Sequence, residues 1–215
     1  MLNLSISPEI RECWGQLAIG ALTARVNVHE SPESLKNALH IMEDKVKDSW
    51  HIEDISKIPE IKAGREAYKA FGKKPARYRL SSEALMRRIL KDQGLSLVNN
   101  IVDINNLLSL QSRLPICAFD LDSVFPPVTF TLGMRNDYYE GIGRGSLNIE
   151  NLPVFGDTRG KFGSPTSDSE RVKITPQTHH LSMNIISFSG DYNLEFHLAN
   201  LGEALVSYEI GRAHV

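Results

Sequence analysis

"NNIVDINNLLSLQSRLPICAFDLDSV", Asn99 to Val124, joins two kinds of pattern. After Asn99 and Asn100 the apolar residues fall at a spacing suited to a helix. The second half, "LPICAFDLDSV", holds a proline, a lone cysteine among apolar neighbours and two aspartates two apart. On a strand that spacing puts Asp120 and Asp122 on one face, but aspartates after a strand end commonly form turns or caps. Both therefore read as scaffold. Cys117, between Ile116 and Ala118, reads as a small buried hydrophobe, since a nucleophilic thiolate needs a base or helix terminus to lower its pKa.

Upstream, "SSEALMRRILKDQG" is the clearest helix, with Ser81 or Ser82 as its cap and Gly94 as its close. Pro59 starts a shorter helix that carries Tyr68 and Phe71 before Gly72 stops it. Pro32 to about Trp50 has Leu35, Leu39, Met42 and Val46 at three- and four-residue spacing, an amphipathic helix with Ser31 as the expected cap. The opening segments "LNLSISPEI" and "GQLAIGALTARVNV" read as two strands.

Downstream of Pro126 and Pro127 the pattern turns β-branched and alternating, through "VTFTLGM", "YYEGIG", "LPVFGD", "RVKIT" and "LSMNIISFS". "NLEFHLANLGEALVSYEI" returns to helical spacing. Strands, a helical middle, strands again and a closing helix make the fold class α+β. One domain over 1–215 is expected, with an N-terminal extension over 1–65 packed on a core at 66–190 and a closing helix at 191–215.

Composition limits the function. The chain has 215 residues, 41% hydrophobic and 23% charged, ordinary for a soluble globular protein. A formal net charge of −2 excludes the broad positive field of a phosphate-backbone binder, so any nucleic-acid contact must be local. The densest basic run, "KKPARYR", sets Lys73, Lys74, Arg77 and Arg79 around Tyr78, and a solvated loop is its plain alternative. Two distant cysteines and no export-type start point to the cytoplasm without a disulfide framework. No apolar run reaches the roughly 20 residues that span a bilayer. Neither membrane nor DNA is expected as a partner.

Three constellations bear on chemistry. The adjacent His179 and His180 would point to opposite faces of a strand, and no paired Cys/His spacing supports a metal, so none is expected. "GIGRG", Gly141 to Gly145, lacks the ending of a phosphate loop and reads as a hairpin turn. "GDTRGKFGSPTSDSER", Gly156 to Arg171, mixes charges of both signs with hydroxyls and glycines. It can offer Arg159, Lys161, backbone N–H groups and hydroxyls to an anion or polar ligand, with a solvated loop as the alternative.

The stretch from Asn99 to Val124 resembles a pattern in the β chain of bacterial phenylalanyl-tRNA synthetase, within the module called the B3/4 domain. Asn99, Asn100, Val102, Asp103, Asn105 or Asn106, Pro115, Ala118, Phe119, Asp120, Leu121 and Asp122 fall into step with it. The resemblance covers roughly residues 70 to 190, and Gly163 and Ser167 match the glycine-rich turn and serine of the family's later segment. It implies the B3/4 fold, a mixed sheet with flanking helices, with the site between two lobes.

The implied activity is editing, the hydrolysis of an amino acid wrongly esterified to tRNA. That chemistry needs a positioned water, a side-chain pocket and a polar partner for a distinguishing hydroxyl. Two positions depart from the family. Cys117 stands where it has histidine, and Ser164, Pro165 and Thr166 occupy the interval where it carries an acidic residue, with Asp168 and Glu170 slightly later. The 215 residues leave no room for an aminoacylating module, so the chain is not expected to charge tRNA itself.

Site candidates are Arg77, Arg79, Cys117, Asp157, Arg159, Lys161, Ser164, Thr166, Ser167 and Asp168, with no cofactor. The expected partner is an aminoacyl-tRNA or a small amino-acid-derived ligand, hydrolysed or merely bound. The cleft should lie between the "PARYR" and "CAFDLD" segments and the "GDTRGKFGSPTSDS" loop.

Overall fold

Asn99 begins the central helix as its sequence predicts: its side-chain oxygen accepts the Val102 N–H at 3.0 Å, satisfying one of the helix's orphan donors. The structure, a computed structural model, describes residues 3–209. Its helices are α1 (Pro8–Cys13), α2 (Glu33–Ser49), α3 (Pro59–Ala70), α4 (Ser81–Ile89), α5 (Asn100–Ser112) and α6 (Leu194–Glu209). Its strands are β1 (Leu4–Ile6), β2 (Ala18–Arg25), β3 (Ile116–Asp120), β4 (Val128–Leu132), β5 (Tyr138–Gly141), β6 (Gly145–Asn148), β7 (Pro153–Asp157), β8 (Gly160–Gly163) and β9 (His180–Ser187).

The strands form a four-stranded sheet in the order β1-β4-β7-β8, a three-stranded sheet β2-β9-β3 and the hairpin β5-β6. Among the named strands of the described residues only β1 and β4 pair in parallel, so the larger sheet is mixed and the fold is α+β with flanking helices. β3 and β9 lie between two cores, and the alternating Leu181, Met183 and Ile185 of β9 face one of them. Ile116, Leu181, Met183 and Ile185 pack with α2, α5 and α6, whereas Cys117, Phe119, Ile186 and Phe188 pack toward α1, α3 and the four-stranded sheet. A third core joins α2, α3 and α4 through Val46, Ile61, Met86 and Ile89.

Several local expectations change. Ser31 does not cap α2, whose cap position is Pro32; its hydroxyl instead donates to Asp103 Oδ2, on a buried α5 carboxyl whose Oδ1 accepts the Val98 N–H at 3.1 Å. Leu80 precedes α4, so neither serine caps it, and α4 ends at Ile89, well short of Gly94. Within "LNLSISPEI" the strand stops at Ile6, because Pro8 and Glu9 suit the first turn of α1. "RVKIT" contributes a 3-10 turn at Glu170–Val172; Val172 and Ile174 are buried without the segment pairing as a named strand. The closing-helix expectation extends to residues 210–215, which lie outside the described residues.

"GIGRG" is the β5-β6 turn, with Gly143 and Gly145 at φ +64° and +68°. Asp120 accepts the Asp122 N–H at 3.1 Å and Asp122 pairs with His180 at 2.8 Å, so both aspartates hold the end of β3. Among the described residues no helix is long and apolar enough to cross a membrane.

Candidate functional site

The polar turn after β8 is largely buried, and most of its polar atoms satisfy one another. Ser164 Oγ accepts the Ser167 N–H at 3.1 Å and donates to the Ser167 carbonyl at 2.8 Å, folding the turn around one hydroxyl. Tyr139 Oη donates to that same carbonyl, and Tyr68 Oη lies 3.0 Å from Thr166 Oγ1. Gly163 is required where the turn begins: a Cβ there would lie 2.5 Å from Phe119 Cε1 and 3.0 Å from Asp168 Oδ1.

That turn aims Asp168 inward. Its Oδ1 accepts the Ser164 N–H at 3.1 Å, while Cys117 Sγ lies 3.4 Å from the Ser164 carbonyl it donates to. Burial pushes the Asp168 carboxyl up to about 7, with the Ser164 N–H and the Cys117 thiol pulling it partly back. Burial also raises the Cys117 thiol well above its usual range, and the Asp168 charge adds to this. Cys117 is thus a neutral thiol, as the sequence suggested, but it stands beside the most perturbed carboxyl of the turn.

Asp168 opens onto a cavity of about 190 Å³ walled by Val98, Val102, Ala118, Ile142 and Ile174, with Asn105 and Lys173 as its other polar residues. The Asn105 Oδ1 is buried there without a hydrogen-bond partner. An apolar pocket with a few convergent polar groups and one shifted carboxyl is the usual form of a small-ligand site.

Beyond the turn lies an open basic groove in two sections that share Thr166 and Arg144. The larger, about 480 Å³, runs past Arg77, Tyr78, Tyr138 and Ser146; the other, about 390 Å³, past Arg79, Arg88, Lys91 and Asn106. Groove and cavity have adjoining walls: Thr166 and Asp168 on the turn, Arg144 and Ile142 on the hairpin, and Asn106 and Asn105 on α5 face one or the other.

The predicted residues therefore separate. Arg77, Arg79 and Thr166 line the groove, Asp168 lines the cavity, and Ser164, Ser167 and Cys117 build the wall between them. Asp157, Arg159 and Lys161 are held elsewhere. The Asp157 carboxylate binds Arg171 at 2.8 Å and accepts the Phe125 N–H at 2.9 Å; these partners hold it below the usual range against the opposing effect of burial. Arg159 stacks 3.5 Å over Phe125, and Lys161 pairs with Asp137 at 3.3 Å. Asn105, Arg144, Tyr138, Lys91 and Lys173 are additions. Asn105 was within reach through its place in the asparagine pattern, whereas Arg144 was hidden in a turn read only as a turn.

The B3/4 domain model matches residues 63–194, more than half of the chain. The chain belongs to the B3/4 domain family. A crystal structure of an N-terminal fragment of the phenylalanyl-tRNA synthetase β-subunit from Pyrococcus horikoshii is similar to this B3/4 protein at a TM-score of 0.48 and 12% identity. The match covers 94% of the B3/4 protein and 49% of the fragment, so the chain spans about half the fragment's length. No curated protein matches it. The cavity and groove described above are formed largely by the matched segment, and Cys117, Asp168 and Arg144 all lie inside it.

Proposed function

We propose that this protein is an editing-type module that takes the aminoacyl group of an RNA 3′ end, or of a smaller amino-acid ester, into the Asp168 cavity and hydrolyses the ester. The observation that carries this reading is that Asp168 and Asn105, whose Oδ1 has no hydrogen-bond partner, line the same largely aliphatic pocket. Two acceptors suit the α-ammonium of an aminoacyl group, and the aliphatic walls suit its side chain. An aminoacyl ester is already activated, so a positioned water and a base are the main requirements. A carboxyl held near 7 has the proton affinity for that task at neutral pH.

Cys117 favours a second reading, binding without hydrolysis. Its neutral thiol supplies no base where the resembled pattern has an imidazole. Release of free amino acid from a panel of aminoacyl-tRNAs and aminoacyl methyl esters separates the two, read beside thermal shifts with the same esters. Acceleration that Asp168→Asn abolishes supports the hydrolase. A thermal shift without acceleration supports the binding module, and neither response with any panel member overturns the reading of the cavity.

A further inference from the structure

We propose that the protein pairs with a second copy of itself along β2, the two strands running antiparallel about a twofold axis so that the three-stranded sheets join into one of six.

The unguarded edge is the first ground. β2 pairs with β9 over all eight of its residues without a register shift, and its other edge receives no backbone hydrogen bond among the described residues. An open edge of that length is a template for another strand, and natural sheets blunt such edges with short strands, lysine, proline or bulges. The edge strands β1, β3 and β8 follow that rule at three, five and four residues. β2 does not: residues 18–24 read "AIGALTA", with no charge, no proline and no bulge.

The flank of that edge is the second ground. α6 runs alongside β2: a Cβ on Gly20 would lie 2.9 Å from Leu198 Cδ1, and one on Gly202 3.7 Å from Leu22 Cδ1. Between strand and helix opens a groove of about 710 Å³, lined by Ile19, Gly20, Ala21, Leu194, Phe196 and Leu198. Phe196 is 61% exposed there. An apolar groove beside unpaired backbone suits a strand that brings side chains as well as hydrogen bonds.

Charge selects the second copy and its direction. Arg25 stands exposed at one end of β2, while Asp191 and Glu195 line the groove at the other, beside Ile19. None of the three has an ion pair among the described residues. Antiparallel pairing sets these unlike ends together twice, whereas parallel pairing would set like ends together. With the axis through Leu22, Ala21 faces Thr23 and Ile19 faces Arg25 of the second copy, so opposite residues share a face of the sheet as an antiparallel ladder requires. The edge is thus complementary to itself, and the assembly closes as a dimer. The Asp168 cavity is walled by other elements, so the pairing does not depend on what fills it.

Sedimentation velocity of the full chain across a concentration series, with hydrogen exchange of the β2 amides at both ends of the series, tests this. A monomer–dimer equilibrium is expected, with alternate amides of residues 18–25 exchanging more slowly in the dimer. Ala21→Lys and Thr23→Lys, at exposed positions that a monomer tolerates, should each raise the dimer dissociation constant about tenfold or more. Thr158→Lys, the same added charge at an exposed position between β7 and β8, should leave it unchanged. Arg25→Glu should weaken the dimer, and Glu195→Lys in the same chain should restore part of the loss. A chain that is monomeric at every concentration, a dimer indifferent to both lysines, assembly that grows past two copies, or β2 exchange that does not change with concentration overturns the proposal. Protection of β2 in a monomer by an unrelated extended peptide would assign the edge to another partner and overturns it as well.

Discussion

Replacing Asp168 with asparagine should make the protein more stable relative to the parent as pH rises, and only over a defined window. The parent carboxyl sits near 7 in the folded chain and near the ordinary aspartate value of about 3.9 when unfolded. Between those values the native state keeps a proton that the unfolded chain has released, so unfolding releases a proton and stability falls with rising pH. About three pKa units at about 1.4 kcal/mol each set a ceiling near 4 kcal/mol. Water reaching the partly exposed residue through the cavity lowers this to about 2–4 kcal/mol. An amide keeps an acceptor for the Ser164 N–H and cannot ionise. Other shifted groups, such as the raised Asp103 and the lowered Glu9 and Asp157, are common to both proteins and cancel in the difference. Urea unfolding of both from about pH 4.5 to 8 checks this. The variant-minus-parent stability should climb toward pH 7 and then level off; a flat difference would show that Asp168 is an ordinary solvated carboxylate and refute the reasoning.

Gly163→Ala drives a methyl to 2.5 Å from the Phe119 ring and should cost about 1–3 kcal/mol, seen as a lowered denaturation midpoint. Glu83 has a fully buried side chain, bound by Arg65 and Arg87 at 2.8 Å each; Glu83→Ala should cost about 3–5 kcal/mol and Glu83→Gln less, measured by the same unfolding. A thiol reagent at neutral pH should modify exposed Cys13 in the native protein and reach buried Cys117 only in denaturant, as counted by mass. Cys117→His, though an overpacking substitution, should pull the Asp168 carboxyl down and flatten the parent's pH dependence, since an imidazolium beside a carboxylate favours the ionised form.

The fold was legible where one chemical signal has one structural reading. The apolar spacing after Asn99 and Asn100 suits a helix, and α5 runs there; Cys117 between Ile116 and Ala118 reads as a small buried hydrophobe, and it is buried. Ser31 was illegible because a hydroxyl before Pro32 looks like a cap, while its partner Asp103 lies far along the chain. The site was harder for a related reason. Residues 163–169 have the composition of a solvated loop, yet Ser164 and Thr166 are buried, because tyrosines on α3 and β5 reach in to hydrogen-bond the turn. Polar residues that satisfy each other look the same in sequence as polar residues that face water. α5 hid Asn105 differently: buried residues surround most of the helix, so no stripe distinguishes the face that lines the cavity.

Cys117 and the pKa of Asp168 are one feature rather than two. A buried carboxyl is stabilised in its charged form by cations and by hydrogen-bond donors. Here the donors it faces are a single backbone N–H and a weakly donating thiol whose one hydrogen is shared with the Ser164 carbonyl, and no ion pair reaches it among the described residues. The basic residues lie across the turn, on the groove side of Thr166, while Lys173 at the cavity is paired with Glu170 at 3.3 Å. With an imidazole at position 117 the same carboxyl would have a charged partner and lie lower. The neutral Cys117 thiol thus supplies no charged partner to the turn, and burial leaves the neighbouring Asp168 carboxyl raised to about 7.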